Sequence, residues 1–277
     1  MSTDPVFPAE LEREIFETTA LMHPKTIPVL LRVTRRVHIW IEPLLYRVIQ
    51  LNRLKTAYGI RRAMQTNPAR FFQDNVRHLL LSPIVFTEQE CLALLSVCPK
   101  LVSFYAFGGV LTPAMLPILQ DMAHVRRWSS RLSSLFGSVP AIDLSIPFFR
   151  NITHIDIFEA VADDTQTARG LAALPALTHV GLNNRTRAGV PRRLLNECIH
   201  LQVLANIWHV SNFVAARNVA ASPPAIDVRF VVCTSGNHCD EWEVGARGGT
   251  DFWAAADAFV ARKRRGEIDA SCYWVGP

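Results

Sequence analysis

No stretch of this chain approaches the ~18 consecutive apolar residues that a membrane span requires. The run from Ile27 to Val33 comes nearest, and Arg32 interrupts it. Residues 1–10 carry Asp4 and turn-forming prolines but no long apolar run, so a secretory signal is not expected there. The six cysteines (Cys91, Cys98, Cys198, Cys233, Cys239 and Cys272) follow no regular spacing. That pattern argues against a disulfide framework and for reduced thiols in a cytosolic or nuclear protein. The formal net charge of +5 is mild and its arginines are spread along the chain, so no block of charge calls for a nucleic acid.

Signals for chemistry are equally sparse. Gly108-Gly109 follows an apparent strand, but the remaining glycine spacing of a phosphate-cradling turn is missing. Gly245, Gly248 and Gly249 read as turn punctuation before the last helix. His154 and Asp156 share one face of a strand, yet no serine or cysteine stands in a G-x-S-x-G turn. Cys233 to Glu241 gathers thiol, imidazole and carboxylate, but Cys233 and Cys239 are six apart and His238 adjoins Cys239. Zinc ligation uses closer cysteine pairs, so this stretch reads as a polar loop. The expectation is a protein without metal, cofactor or catalytic residue, bound neither to membrane nor to nucleic acid.

What is present is a repeat. Apolar residues stand at the first, fourth and sixth positions of short segments beginning at Val76 (Leu79, Leu81), Leu101 (Phe104, Ala106), Val125 (Trp128, Ser130), Ile152 (Ile155, Ile157) and Leu177 (Val180, Leu182). Looser members follow at Leu201, with Leu204, and at Ile226, with Val228, Phe230 and Val232. Successive starts differ by 25, 24, 27, 25, 24 and 25 residues, and Tyr46 with Ile49 and Leu51 stands 30 before Val76. In an extended segment the fourth and sixth residues point to one face and the fifth and seventh to the other, so each strand would bury one face. Helices are expected between the strands at Glu88–Cys98, Pro113–Ala123, Thr165–Leu174, Pro191–Ile199 and Phe213–Ala221. Pro113 and Pro191 suit first helical positions, where no N–H is needed.

Segments such as Ile152-Thr-His-Ile-Asp-Ile and Leu177-Thr-His-Val-Gly-Leu-Asn-Asn184 resemble leucine-rich repeats, whose period is roughly 20–29 residues. The resemblance covers most of Tyr46 to Val232 and implies an α/β solenoid of parallel strands and short helices. An ordinary doubly wound α/β domain would alternate in the same way and stays open at this point. A solenoid would leave one strand face exposed, displaying Tyr105, Phe107, Arg127, Arg131, His154, Asp156, Phe158, His179 and Asn183. Aromatic and arginine side chains are frequent anchors of protein interfaces, so this face is the expected site for a protein partner.

At the N-terminus, Leu11, Ile15 and Met22 recur at helical spacing after Pro8, and His23-Pro24 ends the helix. A second helix is expected from about Pro28 to Glu42, broken by Pro43. Phe7-Pro-Ala-Glu-Leu-Glu-Arg-Glu-Ile-Phe16, Ile27-Pro-Val-Leu-Leu-Arg-Val-Thr-Arg-Arg-Val37 and Trp40-Ile-Glu-Pro-Leu-Leu-Tyr46 together resemble an F-box. Val37-His38 stand where many members carry tryptophan, with Trp40 displaced. The resemblance implies that Pro8, Leu11, Ile15, Leu31, Val33 and Arg36 contact a Skp-type adaptor of a cullin ubiquitin ligase.

As a whole the chain resembles F-box-like proteins of mushroom-forming fungi with degenerate leucine-rich repeats. The implied role is a non-enzymatic substrate receptor, with an F-box-like segment at 1–45 and a solenoid at 46–277. An α/β enzyme, which would need a deep pocket with convergent polar groups, is a further reading; the main alternative to the receptor is a stand-alone recognition scaffold whose first helices only cap the solenoid, as terminal repeats require. Whether Leu11, Ile15 and Val33 face the solenoid or solvent separates the two. Near the C-terminus, residues of about 250–266 read as a capping helix with Phe252, Ala256, Phe259 and Val260 on one face, basic residues at its end and Gly266 as its stop.

Overall fold

A computed structural model of the chain describes residues 7–162, 166–183, 187 and 189–276. Asp4, Thr165 and Asn184 lie outside them. Among the described residues a single nine-stranded parallel sheet forms, and its spatial order is the chain order throughout. The chain is therefore α/β, each strand laid beside the one before it.

Three helices precede the sheet: α1 (Ala9–Met22), α2 (Ile27–Leu30) and α3 (Arg35–Tyr46). The helix expected over Pro28–Glu42 is thus divided. Thr34 adopts an extended backbone, and its side chain accepts a hydrogen bond from Val37 N at 3.3 Å, which starts a new helix. Pro43 does not break α3, because it falls in the last turn and removes one hydrogen bond close to where the helix ends.

Strands β1 (Val48–Leu51), β2 (His78–Leu81), β3 (Ser103–Ala106) and β4 (Arg127–Ser130) alternate with α4 (Leu54–Thr66), α5 (Ala69–Asn75), α6 (Glu88–Ser96), α7 (Leu116–Gln120) and, after β4, α8 (Leu132–Phe136). The pattern continues through β5 (His154–Ile157), α9 (Gln166–Ala172), β6 (His179–Asn183), α10 (Gly189–Glu197), β7 (Val203–His209), α11 (Phe213–Ala221) and β8 (Phe230–Ser235). The chain ends in α12 (His238–Ala246), α13 (Phe252–Arg264) and the short β9 (Trp274–Val275).

The register puts the repeat in three dimensions. Ile49, Leu79, Phe104, Trp128, Ile155, Val180, Leu204 and Phe230 stand side by side across eight strands, and all are buried in one continuous core with residues of the helices between strands. Each large apolar side chain in that row contributes about 1.5–3 kcal/mol of burial. The parallel row two residues on contains two polar members, and both are satisfied by an indole on the same strand face. Trp128 Nε1 donates to Ser130 Oγ at 2.7 Å, and Trp208 Nε1 donates to Asn206 Oδ1 at 2.5 Å. A buried hydroxyl or amide that keeps its hydrogen bond avoids most of the cost of leaving water. Ile226 is not the first position of a unit: it is 92% exposed, and Phe230 rather than Arg229 pairs in register with Leu204.

Candidate functional site

The N-terminal helices have a core of their own. Ala20, Ile27, Val37 and Ile41 are buried together, with Phe16, Leu30, Leu31, Trp40 and Leu44 packed around them. Arg36 ties α3 to α1 through Nη2, which donates to Glu12 Oε1 at 2.7 Å. Tyr46 anchors the segment to the first unit, its ring edge-on to Phe71 at 5.0 Å and to Phe72 at 6.0 Å. With these contacts made, Leu11, Ile15 and Val33 point to solvent, each about half exposed at 49%, 50% and 49%. Pro8 is exposed at the N-cap of α1, whereas Leu31 is partly buried against the small core. Of the nineteen large hydrophobic residues exposed among the described residues, nine lie between Phe7 and Leu45. Exposed apolar side chains are thus concentrated in this segment.

The strand face is not left exposed as expected. The C-terminal residues fold back across it, so Tyr105, Asp156 and His179 are buried and not displayed. Helix α12 was expected to be a polar loop; Asn237 instead caps it, accepting from Cys239 N and Asp240 N. Its Trp242 donates from Nε1 to Ser103 Oγ at 3.0 Å and lies 6.2 Å from the Tyr105 ring. Gly245 is a point of close approach within this helix, not a turn: a Cβ there would stand 2.1 Å from Asp251 Oδ2. Asp251 in turn pairs with Arg127 at 3.2 Å and caps α13 by accepting from Ala254 N at 2.8 Å.

Helix α13 covers the far end of the face. Val203, Ala205, Ile207, Val231 and Cys233 form a second apolar cluster with its Trp253, Ala256 and Val260. The rings of His154 and His179 stack at 3.9 Å, Trp253 meets both edge-on, and His179 Nε2 lies 2.8 Å from Asp257 Oδ1. Burial pushes His154 down to about 2, with repulsion from His179 and Arg127 adding to it, and pushes the Asp156 carboxyl up to about 7.

Two hollows remain. One, of about 500 Å³, lies where the N-terminal helices, β1–β4 and α12 meet. The other, of about 540 Å³, sits at the C-terminal ends of β4–β7 and is lined by Arg131, Asp156, Phe158, Glu159, Asn183 and His209. Of the face residues named from the sequence, Arg131 is exposed there, while Phe107, Arg127, His154, Phe158 and Asn183 are half-buried.

Neither the protein-family models nor the curated proteins compared with the chain include a match. No group of three or more His, Cys, Asp or Glu side chains among the described residues could hold a metal ion, and all six cysteines are unpaired. No helix among the described residues is long and apolar enough to cross a membrane. The covering helix α12 was the feature missed in the sequence. A signal for the cover did exist, since Val231 and Cys233 make Phe230–Cys233 apolar on both faces, as in a strand buried from both sides.

Proposed function

We propose that this chain is a non-enzymatic interaction adaptor: its N-terminal helices form an F-box-like segment that docks on a Skp-type adaptor, and a leucine-rich-repeat-like solenoid holds a target protein for ubiquitination. The observation that carries this reading is the outward orientation of Leu11, Ile15 and Val33. A segment serving only as a cap would turn those residues onto the solenoid. This one already buries Val37 and Ile41 in its own core and still presents an apolar strip. The target site is narrower than a whole strand face. It centres on Arg131, Phe158 and Asn183, around the hollow at the strand ends that α12 and α13 leave uncovered.

The test is co-migration of the purified chain with a Skp adaptor. Binding at micromolar concentration is expected for the natural sequence, and Ile15→Asp should weaken it by roughly thirtyfold or more, the effect of losing a central apolar anchor worth ~2 kcal/mol. Absence of binding at that concentration refutes the docking role.

A further inference from the structure

The hollow of about 500 Å³ between the N-terminal helices and α12 has a charge pattern that protein docking does not require. Arg47, Arg127 and Arg247 line it, from three separate parts of the chain, against one carboxylate, that of Asp251. Arg127 is paired with Asp251 at 3.2 Å and Arg247 with Glu243 at 2.9 Å. Arg47, at the rim, has no acidic partner within ion-pair distance among the described residues. His78 also lines the hollow, and its Nδ1 is shielded from solvent without a hydrogen-bond partner. Burial and the nearby Arg47, Arg127 and Arg247 push that imidazole down to about 4, so it is neutral near pH 7 and can donate from one ring nitrogen. Trp242 and Trp253 supply flat apolar wall. The volume is within the 300–1,000 Å³ common for small-molecule sites, which are mostly apolar with a few converging polar groups.

We propose that this hollow binds a small organic anion, a flat apolar body carrying a phosphate or carboxylate group. The anion lies among the three guanidinium groups, which suit both headgroups through paired N–H donors. His78 makes the hydrogen bond it otherwise lacks, and the flat body rests on the indoles. Such a ligand touches α1, α3, the sheet and α12 together. This site is independent of the docking strip, whose Leu11, Ile15 and Val33 are not among its walls.

Calorimetric titration of the full chain at low salt with phenyl phosphate, benzoate and phenol tests it. At least one of the two anions is expected to bind at sub-millimolar concentration and phenol at least tenfold more weakly; the tighter anion identifies the headgroup. Arg47→Gln, at a side chain that makes no ion pair among the described residues, should lower that affinity about tenfold with the unliganded melting temperature unchanged, and Arg47→Gln with Arg247→Gln should lower it further. In ring-proton titrations by NMR, ligand should raise the His78 pKa. The proposal is overturned if neither anion binds in the sub-millimolar range, if phenol binds as tightly, or if the folded double variant keeps its affinity.

Discussion

The N-terminal helices and the strand face both carry apolar and aromatic residues that the core does not use, and they deal with them in opposite ways. Around the face, the chain supplies its own cover: Trp242, Trp253, Ala256 and Val260 come from the last forty residues and lie on Tyr105, His154, His179 and the β7–β8 side chains. Around α1 and α2 no such cover lies among the described residues, and Leu11, Ile15, Val29 and Val33 remain about half exposed or more. A cover from the same chain costs no translational entropy, whereas a surface left open is available to a separate molecule. The contrast shows that the strand face is here spent largely on folding, and that the freest apolar surface lies elsewhere.

The largest expected effect tests the cover. Trp253→Ala should cost about 3–5 kcal/mol in urea unfolding, as for other buried large-to-small changes. A loss below ~1 kcal/mol would mean that α13 rests only loosely on the face. Next, Gly245→Ala should cost about 1–3 kcal/mol, because the added methyl group has no room beside Asp251. An unchanged melting temperature would show that α12 and the start of α13 are not held as close as described.

Acid sensitivity sharpens the same side of the contrast. A base pushed down in the folded state, such as His154 at about 2 or His78 at about 4, stays neutral when folded and takes up a proton when unfolded below its ordinary 6.5. Stability is therefore full above that value and falls as the pH drops below it. Asp156, pushed up to about 7, works the other way between 7 and its ordinary 3.8, so two groups oppose one and the net result is loss on acidification. Unfolding curves between pH ~7 and ~5 should show this loss, and His154→Gln should show less of it. Parallel pH profiles would contradict the burial of that ring. The smallest effect belongs to the open side: Ile15→Asp should change stability by no more than about 0.5 kcal/mol, as for an ordinary surface position. A larger loss would place Ile15 inside the fold and remove the contrast.

The ladder was legible in the sequence because its signal is local and repeated. Leu79, Phe104, Trp128, Ile155 and Val180 occupy the same place in each unit, and the structure pairs them in that register. Departures arose where one residue decides the outcome, as when the side-chain cap at Thr34 divides a helix and Asn237 starts one in an apparent loop. The covered face was not legible for another reason. Arg127 meets Asp251 across 124 positions and Ser103 meets Trp242 across 139, and no periodicity reports on such a return of the chain. The small-anion hollow is of the same kind, since Arg47, Arg127 and Arg247 converge only once α12 is in place.

Hydroxyl-radical footprinting of the full chain, alone and with a Skp adaptor, measures both sides of the contrast at once. Leu11, Ile15 and Val33 should be oxidised rapidly in the free chain and protected by the adaptor, while Tyr105 and Trp253 should react slowly in both samples. Slow oxidation of Ile15 in the free chain, or rapid oxidation of Trp253, would contradict the account.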